Sequence, residues 1–235
     1  AMGELRNPIL VLLARLLERV AYYFADEIVS LSPDMEKEIR KRCGKNQKIS
    51  VIPNGCDEAF GNVTKEEVWQ VRQNYRWDAS TKIILYAGTF GRELAYEIKK
   101  RDSQVLVVAC GKGRELEHVT QLASDLGVLD NTFQIIDPVT KKRLPSLVAA
   151  SSIVASTVID VPELAANSAN KVFDGWAASK PVLINHLGWL DDIIKQNNVG
   201  LPLYGQDVSL AADEIVSFLH DQERYNTMCD AAGKI

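Results

Sequence analysis

Histidine is scarce in this chain and cysteine is scattered. Its 235 residues hold three histidines and four cysteines, and no Cys-x-x-Cys occurs. That spacing supplies neither a zinc ligand set nor a disulfide framework, so Cys43, Cys56, Cys110 and Cys229 are expected as free thiols of a reducing compartment. Basic residues are not in excess. The 27 Lys and Arg stand against 31 Asp and Glu, a net charge of −4, which argues against a nucleic-acid binder gripping phosphates through a basic face. Long apolar runs are lacking too. The stretch Ile9–Leu17 is interrupted by Arg15 and falls well short of the roughly 20 residues that span a bilayer. With Pro8 at a first helical turn, it is expected as a strongly apolar helix buried against a partner surface, an interfacial membrane helix being the alternative. Compositional bias is also absent: 46% apolar and 25% charged residues describe a globular chain with room for one large domain or two small ones. Ala1 ahead of Met2 reads as a cloning remnant and is set aside.

What is present is an alternation. Short apolar runs recur at Glu27–Leu31, Ile49–Ile52, Lys82–Gly88, Val105–Cys110, Thr132–Ile136, Ser152–Ala155, Pro181–Ile184 and Val199–Leu203. Helical patterns lie between them, at about Pro33–Arg42, Lys65–Asn74, Glu93–Arg101, Arg114–Leu126, Pro145–Ala150, Asn170–Ala178, Leu190–Asn197 and Val208–His220. Continuous apolar strands separated by helices mark a parallel sheet covered on both faces, so the fold class is α/β, doubly wound and Rossmann-like. Thr64 and Glu67 have the spacing of a capping box, Ser32-Pro33 pairs a cap with proline at the first turn, and Asn167 or Ser168 is placed to cap the Asn170 helix.

Three places could carry chemistry at the carboxyl edge of such a sheet. Gly111-Lys112-Gly113 follows a strand and opens a helix, where glycines allow close backbone approach and free amides attract an anion. A dinucleotide fingerprint would need a third glycine there, and none follows. Asn167-Ser168-Ala169-Asn170-Lys171 begins another helix. Asn170 and Asp174, four apart, share one face of it. Helix amides and Lys171 could hold a phosphate there, with the Asp174 carboxylate one turn deeper, within reach of an attached sugar hydroxyl. Taken alone, the pattern is more simply that of an ordinary capped helix with a solvated Lys171 and Asp174. Arg92, directly after Gly91, is either a loop arginine or a guanidinium aimed at phosphate. His118 and His220 read as surface residues. His186, just past a strand, could approach a ligand.

Taken together, these segments resemble the retaining sugar-nucleotide glycosyltransferases of the two-domain GT-B fold, glycosyltransferase family 4, in its bacterial surface-polysaccharide branch. The resemblance runs from about Ala25 to the C-terminus, through ADEIVSLSPDMEKEI, ISVIPNGCD, ILYAGTFGR, VLVVACGKGREL, QIIDPVTKKRLPSLVAASSIVAST and NSANKVFDGWAASKPVLINHLGWLDDII. It implies residues 1–57 as a remnant of the acceptor-side domain, most of which is absent, and 58–235 as the donor-binding domain. The chain departs from the family in several places. Ala166 and Asp174 stand where the family carries a pair of glutamates, Asn-Lys opens the helix as in the surface-polysaccharide branch, and the loop after GTFGR is short.

The resemblance also implies the ligand and its site. The substrate is a UDP- or GDP-sugar, with no other cofactor. Arg92 and Lys171 are the catalytic residues that neutralise the diphosphate, assisted by Gly91, Gly111, Gly113 and the amides at Asn170. Pro138 and Val139 present backbone to the base, and Asp174 accepts from the ribose hydroxyls. No metal is expected, since no DxD cluster is present and Asp191-Asp192 lies in a helical pattern and reads as solvated. The acceptor would be a glycan or a polyprenyl-linked one, in the cytoplasm or at the inner face of the membrane. As rivals stand a GT-B sugar-nucleotide epimerase and a nucleotide-binding fragment without activity. The chain alone is expected to bind donor and transfer little.

Overall fold

The computed structural model describes residues 7–86, 91–113, 116–159 and 161–235, with side chains at all of these except 91–93, 162 and 163. The chain opens with α1 (Pro8–Phe24), β1 (Ile28–Ser30), α2 (Pro33–Arg40) and β2 (Ile49–Val51), followed by α3 (Lys65–Asn74). An unbroken alternation comes next: β3 (Lys82–Tyr86), α4 (Gly91–Lys99), β4 (Val105–Cys110), α5 (Leu116–Asp125), β5 (Phe133–Ile136), α6 (Leu144–Ala150), β6 (Ile153–Ser156), α7 (Asn170–Ala177), β7 (Val182–Ile184), α8 (Trp189–Asn197), β8 (Gly200–Pro202) and α9 (Val208–His220). A last helix, α10 (Gln222–Ala232), closes the chain. Among the described residues, β1 and β2 pair in parallel as a small sheet, and the other six strands form a parallel sheet in the order β5-β4-β3-β6-β7-β8.

Side-chain alternation on the strands divides the apolar residues between two cores. Ile84 and Tyr86 face one side with Leu94 and Ile98 of α4 and Ile215 and Phe218 of α9. Ile83 and Leu85 face the other, with Val148 of α6, Trp176 of α7 and Leu190 and Ile194 of α8. Helices therefore cover both faces, which is why β6 and β7 are buried at every residue and are apolar but for Ser156 at the end of β6. The expected α/β, doubly wound, Rossmann-like fold is the one observed.

Local chemistry sets several boundaries. Thr64 and Glu67 close the capping box in both directions, and Ser32 Oγ accepts from the Met35 amide at 3.0 Å. The helix α10 was not expected from the sequence. Its start is set by Asp221, whose carboxylate accepts from the Arg224 amide at 3.0 Å. The expectation for α1 is also corrected. Its apolar stripe is present, but none of its residues is buried, and Leu12 and Tyr23 are 69% and 80% exposed. An apolar pattern reports a face that favours cover. Within the described residues, nothing covers it. Among those same residues no helix is long and apolar enough to cross a membrane.

Candidate functional site

Counting outward from β3, the strands run one way through β4 and β5 and the other way through β6, β7 and β8. Between β3 and β6 the order reverses, and the carboxyl edge at such a switch point is the place where open α/β sheets take ligands. Hydrogen bonds just past the strand ends fix the backbone there. Thr157 Oγ1, one residue past β6, donates to the Tyr86 hydroxyl at the end of β3 at 2.9 Å. Asn185, one residue past β7, brackets Val158: its Oδ1 accepts from the Val158 amide at 2.9 Å and its Nδ2 donates to the Val158 carbonyl at 2.8 Å.

Helix α7 begins on this edge. Neither Asn167 nor Ser168 caps it, contrary to expectation. Ala169 holds the cap position and makes no side-chain cap bond. Ser168 is turned instead to Asn54, whose amide donates to its Oγ at 3.3 Å and whose Nδ2 donates to its carbonyl at 2.5 Å. The cap residue of α7 thus supplies no side-chain oxygen of its own to the positive pole of the helix, a kind of helix start that suits an anion. Asn170 is exposed at that start, Lys171 is half-buried, and Asp174 is half-buried one turn further on. Burial lowers the Lys171 pKa. Burial also pushes the Asp174 carboxyl up to about 6, helped by the negative charge of Asp57 and opposed by the positive charge of Lys141. The helix lies tight on the sheet because residue 175 is glycine. A Cβ there would stand 2.9 Å from Val182 Cγ1 and 3.2 Å from Val154 Cβ.

Next along the edge, Gly111 continues the pairing of β4 with β5, its amide donating to the Ile136 carbonyl at 3.2 Å. A Cβ on Gly111 or on Gly113 would meet nothing within 4 Å. At Gly111 the backbone itself favours glycine, with φ +158°; at Gly113 packing within the protein does not require glycine, whereas approach of a ligand to the backbone would. Pro138 is exposed just past β5, and Val139 is half-buried beside it. Val139 also lines a cavity of about 750 Å³ that runs under α3, with Gln70, Tyr75, Lys142 and Arg143 among its walls.

Comparison with known proteins names this arrangement. Residues 67–234 match the family described as Glycosyl transferases group 1. The chain belongs to that family. Residues 2–60 match Glycosyltransferase Family 4. A D-inositol 3-phosphate glycosyltransferase of Corynebacterium diphtheriae is 23% identical over 224 residues, covering 88% of this chain and 51% of the relative. Among solved structures, HepE of Anabaena in complex with UDP and glucose is similar with a TM-score of 0.78 and 18% identity, over 94% of this chain and 60% of that one. WaaG, a glycosyltransferase involved in lipopolysaccharide biosynthesis, is similar with a TM-score of 0.69 and 16% identity, over 87% and 56% of the two chains. The chain therefore spans between half and three fifths of the length of these relatives.

Within this member of the group 1 family, the residues named from the sequence fall on two arms of the edge. Asn170, Lys171 and Asp174 lie on α7, while Gly111, Gly113, Pro138 and Val139 lie on the loops after β4 and β5. Gly91 and Arg92 form the start of α4, and the Arg92 side chain is outside the described residues, as are residues 87–90 of the GTFG loop and Arg114. Asp191 is corrected: it is buried at 4% exposure, with Lys195 Nζ 2.8 Å from Oδ2 and with Oδ1 unpartnered. Lys195 follows it by one helical turn and is itself exposed, so its ammonium reaches back from the surface to the buried carboxylate. Among the described residues no group of three or more His, Cys, Asp or Glu side chains could hold a metal ion.

Sequence reasoning missed Lys141, Asp57 and Asn185. The first two act on the charge of Asp174 from elements remote in sequence, a relation no spacing rule encodes. Asn185 could have been suspected, since an amide directly after an apolar strand commonly ties down a neighbouring loop. His186 beside it is 6% exposed, with Nδ1 2.9 Å from the Leu187 carbonyl and Nε2 unpartnered.

Proposed function

We propose that this chain is the donor-binding part of a retaining glycosyltransferase, one that moves a sugar from a UDP- or GDP-sugar to a glycan or polyprenyl-linked acceptor in surface-polysaccharide synthesis. The observation that carries the reading is the first turn of α7. It has Ala169, which makes no side-chain bond, at its cap position, follows a strand at the switch point of the sheet, and sets Lys171 and Asp174 half-buried on the same helix. The diphosphate would rest on the α7 amides, Lys171 and Arg92, where its charge offsets the burial that lowers the Lys171 pKa. Asp174 would accept from the ribose hydroxyls. The base would lie along the backbone of Pro138 and Val139, with the open faces of Gly111 and Gly113 leaving room for the phosphates.

In the transfer itself the bond from the anomeric carbon to the phosphate oxygen breaks and the diphosphate departs with the electron pair. The acceptor oxygen bonds to the same face of the sugar and its proton passes to the departing phosphate. The protein's part is to stabilise the charge that develops on that phosphate, which is the role of Lys171, Arg92 and the helix. We place the reaction in the cytoplasm, with the acceptor presented at the inner face of the membrane.

A thermal-shift series with UDP, GDP and NAD⁺ tests the reading. UDP or GDP should stabilise the chain, by roughly 2.7 kcal/mol at a hundredfold excess over Kd. Stabilisation by NAD⁺ alone would overturn it. Holding an acceptor against the anomeric carbon can supply roughly 7–11 kcal/mol of the barrier. A chain that spans about half of its relatives is therefore expected to bind donor yet transfer little of a labelled sugar, and to gain transfer when extended upstream.

A further inference from the structure

The loop that delivers the chain into α7, residues 165–168, is held largely by residues more than a hundred positions upstream. Ser32 Oγ donates to the Ala166 carbonyl at 2.7 Å. Asn54 holds both the hydroxyl and the carbonyl of Ser168. The indole Nε1 of Trp189, first residue of α8, donates to the Asn167 carbonyl at 3.0 Å. Gly188, at φ +117°, lies so close that a Cβ on it would stand 2.2 Å from the Ala165 carbonyl oxygen. The start of α8 is therefore one wall of the loop's seat, and its position has its own support. No side chain of the α8 segment caps that helix. The cap is supplied from α2: Asp34 Oδ2 accepts from the Trp189 amide at 2.9 Å, while Oδ1 pairs with Lys37 Nζ at 2.8 Å.

We propose that Asp34 is a positioning residue for the donor site. By capping α8 from another part of the chain, its carboxylate fixes Gly188 and Trp189, and these fix the 165–168 loop and with it the start of α7. Asp34 touches no donor atom; it acts through the loop. The inference rests on the proposed donor site at α7, and it extends that reading to the upstream segment, which thereby helps shape the donor side.

Three variants of the 235-residue chain separate the cap from the ion pair. Asp34→Ala removes both, Asp34→Asn keeps an oxygen for the Trp189 amide but loses the pair, and Lys37→Ala loses only the pair. Two quantities are read: hydrogen exchange at the Trp189 amide, and the Kd for UDP and for UDP-glucose by calorimetry. In Asp34→Ala, exchange should quicken about fivefold, the size of one lost capping bond, and both Kd values should rise by about threefold or more. Asp34→Asn and Lys37→Ala should stay within about twofold of the parent, since an exposed ion pair contributes little. Unchanged exchange in Asp34→Ala overturns the cap. Faster exchange with unchanged Kd leaves a structural cap only and overturns the positioning role, as does an equal loss in Lys37→Ala. Should Asp34→Ala fail to fold, Asn54→Ala loosens the same loop from its other side, and an unchanged Kd there overturns the proposal equally. A parent chain that binds none of UDP, UDP-glucose and GDP fails differently: it overturns the proposed function, while the exchange rates still decide the cap.

Discussion

The hydroxyls of Thr157 and Tyr86 meet at 2.9 Å beneath the carboxyl edge of the sheet, at the one junction, between β3 and β6, where strand order reverses. Both residues are buried, at 7% and 2% exposure. The bond ties the end of β3 to the residue that follows β6, across the switch point. Replacing Tyr86 by Phe strips the Thr157 hydroxyl of this acceptor in a place water does not reach. Urea unfolding should show a loss of about 1–2 kcal/mol. A loss below about 0.5 kcal/mol would mean that the bond contributes nothing net.

Asp174 predicts an unusual pH dependence. Its carboxyl is raised to about 6 by burial, with Asp57 adding and Lys141 opposing. A raised carboxyl binds its proton more tightly in the folded chain than in the unfolded one. Its stabilising contribution is complete below the unfolded pKa and is lost as pH rises through about 6. Asp174→Asn should therefore match the parent in acid and exceed it at mildly alkaline pH. The gain should be about 1–2 kcal/mol, allowing for the group's partial contact with solvent. Denaturation curves at both pH values check this, and the same variant should bind UDP or GDP more weakly.

Lys171 should matter to the ligand more than to the fold. It is half-buried and its charged form is disfavoured there, so Lys171→Ala should leave the melting temperature almost unchanged. A charge-assisted bond to phosphate is worth about 1.5–3 kcal/mol, which corresponds to a loss of roughly ten- to over a hundredfold in nucleotide diphosphate affinity by calorimetry. Equal affinity in mutant and parent would return Lys171 to an ordinary helix surface.

Two glycines on the same edge should respond in opposite ways. Gly188→Ala meets both a φ of +117° and the Ala165 carbonyl oxygen at 2.2 Å, and should destabilise the chain by more than about 2 kcal/mol. A Cβ at Gly113 meets nothing within 4 Å, so Gly113→Ala should stay within about 0.5 kcal/mol of the parent. If the donor phosphates pass over it, Gly113→Ala should still lose UDP or GDP affinity. Thermal melts paired with calorimetry on the two variants give the comparison.

The fold was legible because its determinants are local and periodic. Runs such as Ile83–Leu85 and Ile153–Ala155 are apolar at every residue, which only a strand covered on both faces requires, and helices such as α2 and α3 carry their own caps at Ser32 and Thr64. The position of Asn170, Lys171 and Asp174 on one helix followed from spacing alone. Helix α10 was missed because its pattern is weakly amphipathic and its start rests on a single aspartate, Asp221. The seating of α1 was misjudged because amphipathicity announces a face without saying what meets it.

By itself, then, the sequence determined the α/β alternation, the doubly wound fold class and which residue types stand where strands hand over to helices. Each of these follows from backbone geometry and from the period with which apolar side chains recur. Tertiary structure alone decided that Ser168 turns to Asn54 instead of capping α7, that Asp34 caps α8, that Asp191 is buried, and that Lys141 and Asp57 contend over the charge of Asp174. Those relations join residues up to 155 positions apart. Their strength depends on distance and on exclusion of water, two quantities that exist only once the helices have closed over the sheet.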